Sequence, residues 1–281
     1  MSALVVTADD VGLHPGMTAG AMAAHDAGIV TAVSVAAVGR ALDDAVARLR
    51  ERPALDAGVH LTLVGERPLS PPREVPSLLG PGGAFLPGYP AFVRRYLRGG
   101  IAGAEVEAEL RRQIERLLAG GLELVHANSH QHLHVLPRIL EVVLRLAAEY
   151  RIPCVRLPRE PAAGALSWRA AQLALLNRLG RRARRRLAAA GLPAPIERTL
   201  GLLDAGRLTF DRLRRGLVQV AGTTELVCHP GLGDAALAAA YPWGYAWDGE
   251  TAALRDPRLP GLLAAAGIEL TSFSQLLGAK P

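Results

Sequence analysis

The sequence predicts one α/β domain, a parallel barrel of seven or so strand–helix units. Strand-like and helix-like segments alternate from end to end. The 281 residues can bury one large core, and a single domain of this length is usual for an α/β barrel. No Pro-, Gly- and Ser-rich linker divides residues 1–281, and no internal repeat of fixed period is visible. An open doubly wound sheet would show the same alternation. No G-x-G-x-x-G follows the first strand, however, which disfavours dinucleotide binding.

Each element follows from local chemistry. Residues 4–7 are an apolar run and read as a short buried strand. Pro15 stands where helix starts favour proline, and residues 17–27 have helix-forming composition, closed by Gly28. Residues 29–35 are β-branched enough for a second strand. Residues 41–50 read as helix and 57–63 as strand, while 65–90 are dense in Pro and Gly and read as a long loop. Within 105–118, Val106, Leu110, Ile114, Leu117 and Leu118 fall at helix spacing. A strand at 122–127, a helix at 137–150, a short strand at 153–157 and strand-like segments at 225–228 and 268–271 complete the pattern.

Half of the residues are apolar and 21% are charged, a balance that argues against disorder. No apolar run reaches the ~18 residues a membrane span needs. The first residues lack the basic start and long apolar stretch of a secretory signal. Cys154 and Cys228 form no close-spaced pair, which excludes a disulfide framework and fits a reducing cytoplasm. The net charge is +6, and Lys280 is the only lysine, so nearly all the positive charge is arginine. Such a bias can follow base composition, so the charge alone does not point to nucleic acid.

The reactive side chains gather at predicted strand ends, where parallel barrels build their active sites. Four of the eight histidines lie in H-A-N-S-H-Q-H-L-H, residues 126–134. Alternate residues of an extended chain share a face, so His130, His132 and His134 would project together as ligands or catalytic groups. A solvated His-rich loop is the plainer alternative. Asp9 and Asp10 end the first strand; a cation held by one would relieve their repulsion and leave the other as a base. A simple turn would use both to cap backbone N–H groups instead. His60 lies in G-V-H-L, where a hydrogen-bonded core histidine is the common outcome. His229, in V-C-H-P-G, reads as an acid, a base or a spectator. Together the strand ends supply a carboxylate and two imidazoles, an open site for a divalent ion whose free positions take water.

These motifs resemble those of the YdjC-like carbohydrate deacetylases. T-A-D-D-V-G-L (7–13), G-I-V-T-A-V-S (28–34), G-V-H-L-T-L (58–63), N-S-H-Q-H-L-H (128–134) and E-L-V-C-H-P-G (225–231) agree in order and spacing over nearly the whole chain. V-R-L-P-R-E-P (155–161) resembles the hopanoid-associated branch more than the chitooligosaccharide branch, and Val11 stands where the family often has Phe. The resemblance implies a distorted, TIM-barrel-like (β/α) barrel with one divalent ion, Zn²⁺ or Mg²⁺, held by Asp10, His60 and His130. It implies Asp9 as general base, His229 as acid or orienting group, His132 in a less defined catalytic role and His134 in support. The implied reaction is hydrolysis of the N-acetyl group of an amino sugar, oligomeric or lipid-linked, to acetate and a free amine.

The run 241–247 holds four of the twelve aromatic residues, and Trp243, Tyr245 and Trp247 read either as a platform for a sugar ring or as a packed loop. Arg178, Arg181, Arg182, Arg184, Arg185 and Arg186 share a helix with the apolar stripe Leu176, Leu179, Ala183 and Leu187. They read as a docking face for anionic lipid or a phosphorylated substrate, or as a solvated basic face. Two rivals stand beside the deacetylase. A phosphoesterase would want basic residues within the His cluster, where there are none. A non-catalytic module binding membrane or RNA through 178–186 would need the His and Asp motifs to be structural. The expected partners are an N-acetylated sugar, no nucleic acid, an anionic membrane touched peripherally through 178–186, and a second copy in a homodimer. The expected location is cytoplasmic, extending to the inner membrane face.

Overall fold

The computed structural model describes residues 2–161 and 168–278. Parallel strands β1 (Ser2–Val11), β2 (Ala32–Val35), β3 (Asp56–Leu61), β4 (Leu124–Ser129), β5 (Cys154–Val155), β6 (Arg198–Leu200), β7 (Thr223–Cys228) and β8 (Ile268–Leu270) form one sheet. Its order is β5-β4-β3-β2-β1-β7-β6, with β8 also beside β1. The strand-to-helix alternation thus gives the barrel-like α/β fold that the sequence predicts. β5 and β6 stand at the two ends of the sheet and share no ladder. The chain just after β5 bridges them: Thr199 donates from its backbone N to Arg159 O at 3.0 Å and from Oγ1 to Leu157 O at 3.2 Å.

β1 is the hub. Its apolar run L-V-V-T-A is buried from Leu4 onward, as a strand covered on both faces requires. One edge pairs with β7 from Ala3↔Thr223 to Ala8↔Cys228. The other edge pairs first with β8, Ser2↔Ile268, and then with β2, Thr7↔Ala32. A longer strand than predicted therefore serves three neighbours, and carries Asp9 and Asp10 inside its last turn of pleat rather than in a loop beyond it.

Helices Pro15–Asp26, Leu42–Arg50, Gly103–Ala119 and Pro137–Glu149 fall where the sequence places them. In the third, Val106, Leu110, Ile114 and Leu117 are buried, whereas Leu118 turns outward. The stretch 65–90 is not a bare loop. It holds three short 3₁₀ turns, each opening on proline, and is pinned by the buried Glu109 carboxylate, which accepts from Leu69 N at 3.0 Å and Ser70 N at 2.8 Å. Helix Tyr89–Leu97, strand β6 and the short helices after residue 209 were not anticipated. Each is too brief or too interrupted by Gly and Arg to show a hydrophobic period of its own.

Among the described residues, no helix is long and apolar enough to cross a membrane.

The buried carboxyl of Glu160 follows the bridging segment. Burial pushes it up to about 7 from its usual 4.5, although backbone N–H groups of Leu203, Leu202 and Gly201 pull the other way. A raised carboxyl means stability is intact below the unfolded value and is lost as pH rises through the folded one, by about 3 kcal/mol in all. Glu160→Gln should therefore stabilise the protein by roughly 2–3 kcal/mol at pH 8 and much less at pH 5. Urea unfolding at the two pH values reads the difference; equal gains would refute it.

Candidate metal centre

Three side chains distant in sequence meet at the C-terminal ends of β1, β3 and β4. Asp10 Oδ1 lies 3.0 Å from His60 Nε2 and 3.0 Å from His130 Nδ1. The two imidazole nitrogens are 3.4 Å apart. Among the described residues this is the one group of His, Cys, Asp and Glu whose donor atoms converge in this way. Asp10 reaches the point because its backbone turns left-handed, φ 66°, which breaks the alternation of the strand. Gly12 continues the turn with φ 91°. Burial raises the Asp10 carboxyl, but His130 and His60 outweigh it and hold Asp10 well below the usual carboxylate range. Burial pulls His60 down, and Asp10 and Asp9 outweigh it.

The donor set fits a divalent ion. Ligands about 2.1 Å from one ion, at tetrahedral or octahedral angles, lie roughly 3.0–3.4 Å from each other, which is the spacing here. The tautomer of His60 is also set. Asn128 donates from Nδ2 to Asp9 Oδ1 at 3.0 Å and to Ser34 Oγ at 2.7 Å, so its Oδ1 must accept, and it accepts from His60 Nδ1 at 2.7 Å. Nε2 of His60 is then left with a lone pair aimed at the centre, the state a ligand needs. Charge points the same way: Asp9 and Glu225 share the one buried guanidinium, Arg156, which leaves the buried Asp10 with only His60 and His130 against its charge.

Arg156 does not stand out in the sequence. It follows β5, is buried, and pairs with both oxygens of Asp9, at 2.9 Å to Oδ1 and closer still to Oδ2. The same guanidinium reaches Glu225 Oε1 at 2.7 Å from Nη2 and 3.0 Å from Nε. Asp9 is therefore held by Arg156 and Asn128 and is not one of the three converging donors. Burial raises its carboxyl, but Arg156, His60 and His229 carry it well below the usual range. The one signal available was an arginine at the end of an apolar strand, in C-V-R-L-P, and it was masked by the abundance of Arg elsewhere.

The expected alternation of His130, His132 and His134 does not occur. Residues 130–135 are a 3₁₀ turn in which Gln131 and His132 take φ of 55° and 56°, so the three rings diverge. His134 is locked between Ser129 Oγ at 2.7 Å and the carbonyl of Arg156 at 2.8 Å. His132 Nδ1 is buried without a hydrogen-bond partner, and burial, with Arg156 nearby, holds the ring neutral. His126 points inward, 3.1 Å from Ser34 Oγ and stacked on Phe273, and a Cβ at Gly58 would come within 2.4 Å of its ring. That contact explains the glycine in G-V-H-L.

His229 follows β7. Its backbone N donates to Glu250 Oε2 at 2.7 Å, its ring meets Tyr245 edge-on at 5.3 Å, and its Nδ1 is buried with no partner. The aromatic run closes the same side. The Trp243 ring lies 5.2 Å from that of His130 and 5.5 Å from that of Tyr245. Trp247 is 7% exposed and packs with Leu13, Met17 and Leu237, so it is core, whereas Trp243 and Tyr245 are half-buried at the rim. Burial raises the carboxyl of Glu66, another residue that does not stand out in the sequence, while the charge of His130 pulls it down.

Fold and site together define a parallel barrel protein with a candidate divalent-metal centre at its mouth. A family model described as "YdjC-like protein" matches residues 3–265, and the chain belongs to that family. It is 33% identical over 307 residues to a carbohydrate deacetylase of Mus musculus, covering 99% of this chain and 96% of that protein. A chitooligosaccharide deacetylase of Serratia marcescens is 29% identical, with 97% and 98% covered. The match to a carbohydrate deacetylase of Brevibacillus brevis is 39% identical but spans only 55% of this chain and 59% of that protein. Among solved structures, a candidate cellobiose-phosphate cleavage protein of Enterococcus faecalis V583 superposes with TM-score 0.74 at 23% identity, covering 98% of both chains, and shares the fold.

Titration of the chelator-treated protein with Zn²⁺ or Mg²⁺ tests the centre. Asp10→Ala and His60→Ala should each lose stoichiometric binding. Asn128→Ala, which leaves every ligand in place, should weaken it about ten- to a hundredfold. Undiminished affinity in Asn128→Ala would show that the His60 tautomer is set by something else.

Proposed function

We propose that this protein is a metal-dependent hydrolase that removes the N-acetyl group from an acetylated amino sugar, giving acetate and a free amine. The observation that carries the reading is the meeting of Asp10, His60 and His130 next to a second buried carboxylate, Asp9, beneath an aromatic rim. The names of the full-length relatives point to the same substrate class.

Asp10, His60 and His130 would hold the ion, which when bound polarises a carbonyl and makes a water more acidic. Asp9 serves as the base. Arg156 and Asn128 orient its carboxylate and keep it ionised, and Glu225, on the same guanidinium, offsets part of the positive charge that would otherwise quench its basicity. His229 supplies the proton to the departing amine from Nδ1, the atom that no protein group engages. The hydrogen bond from its backbone to Glu250 and the edge of Tyr245 fix the ring. His132, held neutral by burial, is the weaker choice of acid. Trp243 and Tyr245 offer ring faces to the C–H surface of a sugar, with Trp247 bracing them from below. Phosphate ester hydrolysis fits less well, because the guanidinium at the site is already engaged by two carboxylates.

Acetate release from N-acetylglucosamine oligosaccharides and glycolipids is the direct assay. Chelation should abolish it and a divalent ion restore it. Asp9→Asn should lower kcat at least about a hundredfold with metal affinity retained; full activity in that variant would remove Asp9 as base. Trp243→Ala should raise KM several-fold with kcat little changed, and unaltered kinetics would reduce the rim to packing.

A further inference from the structure

The helix Trp168–Ala189 carries seven arginines and no acidic residue. Elsewhere among the described residues, unpaired arginines such as Arg73, Arg94 and Arg151 are scattered singly among others that pair with carboxylates, such as Arg48, Arg111, Arg112 and Arg156. On this helix, Arg178, Arg181, Arg182, Arg185 and Arg186 are exposed and make no hydrogen bond or ion pair among the described residues. Five unpaired guanidiniums on one outer face form a surface suited to a polyanion.

The rest of that face is apolar. Trp168 is 77% exposed and Leu175 60% exposed. Trp168, Leu175 and Arg182 are seven residues apart, so they stack along one line of the helix, opposite the buried Leu173, Gly180, Ala183 and Leu187. Charge and apolar groups are therefore segregated along the axis: tryptophan and leucine in the first half, arginine in the second. An aromatic and an aliphatic side chain left in water beside a run of arginines is the pattern of a helix lying in a lipid interface.

The apolar half is also the half that touches the mouth. Gln172, between Trp168 and Leu175, hydrogen-bonds the Tyr89 hydroxyl, and Tyr89 N donates to Gln131 Oε1 at 2.6 Å, one residue from the ligand His130. Tyr89 itself is 38% exposed. From this we propose that the outer face of Trp168–Ala189 docks on an anionic lipid bilayer, with Trp168 and Leu175 entering the headgroup boundary and the arginines lying on the phosphates. The barrel mouth is thereby set beside the membrane. If the deacetylase reading holds, on which this part rests, the preferred substrate is an acetylated amino sugar attached to a lipid, taken from the surface of the bilayer.

The full chain is tested by sedimentation with phosphatidylglycerol vesicles against phosphatidylcholine vesicles, an assay that needs no turnover and so fails or succeeds independently of the activity. Binding is expected to the anionic vesicles only. Joint charge reversal by Arg181→Glu, Arg182→Glu, Arg185→Glu and Arg186→Glu should weaken it at least about tenfold. Trp168→Ser with Leu175→Ser, both on the surface, should weaken it several-fold with melting temperature unchanged. A blue shift of tryptophan fluorescence on vesicle addition, absent in Trp168→Phe, places the indole in lipid. No sedimentation at low salt would overturn the proposal. So would vesicle binding indifferent to Trp168 and Leu175 together with equal affinity for single-stranded RNA, which would make the face a nucleic-acid surface. With binding established, deacetylation of a vesicle-borne substrate should fall in the charge-reversed variant while that of a soluble oligosaccharide does not.

Discussion

A buried guanidinium dictates where the groups at the barrel mouth can stand. Arg156 spans Asp9 on β1 and Glu225 on β7 from its own place after β5. Thr7 adds a hydrogen bond to the same Glu225 oxygen at 2.8 Å. Asp9, once fixed, accepts from Asn128 on β4, and Asn128 orients His60 on β3. One chain of contacts thus ties five strands through the interior, where apolar side chains would serve stability better. Burying such ions is costly, and losing one partner of such a pair typically costs about 3–5 kcal/mol because the other charge stays behind. The arrangement makes sense as pre-organisation: His60 is presented in one tautomer and Asp9 in one orientation before any ligand arrives.

Backbone strain concentrates at the same place. Asp10, Gln131 and His132 are three of the four non-glycine residues with positive φ among those described. Each such residue costs on the order of 1–3 kcal/mol unless its surroundings demand it. Here they do. Left-handed turns at Asp10 and Gln131 bring a carboxylate and an imidazole from two strand ends to within 3.0 Å of each other, which regular strands would keep apart. Thr18 Oγ1, which accepts from Gly12 N at 3.2 Å, and Ser129 Oγ, which accepts from His134 N at 2.9 Å, hold the turns in place.

These facts explain what could be read from the sequence. β1, β3, β4 and β7 are visible as apolar runs because both faces of a parallel sheet are covered. β6, at three residues, and the short helices past residue 209 are stabilised by packing rather than by a pattern of their own. Asp10, His60 and His130 are legible as residue types at strand ends. The geometry of 130–134 is not, since alternate residues share a face only on an extended backbone, and two left-handed residues interrupt it here. Asn128 and Arg156 were illegible for another reason: their role lies wholly in partners more than twenty residues away in sequence. No local spacing encodes such a partner.

The wall that carries His229 is fixed by backbone contact. A Cβ at Gly20 would come within 2.3 Å of Gly231, so the loop that carries His229 is seated directly against helix Pro15–Asp26. Leu232 N donates to Gly16 O at 2.9 Å, and Thr251 Oγ1 both accepts from Gly231 N at 2.9 Å and donates to Gly231 O at 2.8 Å. Trp247 fills the space below, 3.1 Å from the position a Gly231 Cβ would occupy. A loop held at this many points cannot swing as a lid. His229 is therefore presented from a fixed backbone. Gln131, Tyr89 and Gln172, by contrast, join the mouth through single side-chain contacts, which leaves that part of the rim less constrained than the His229 loop.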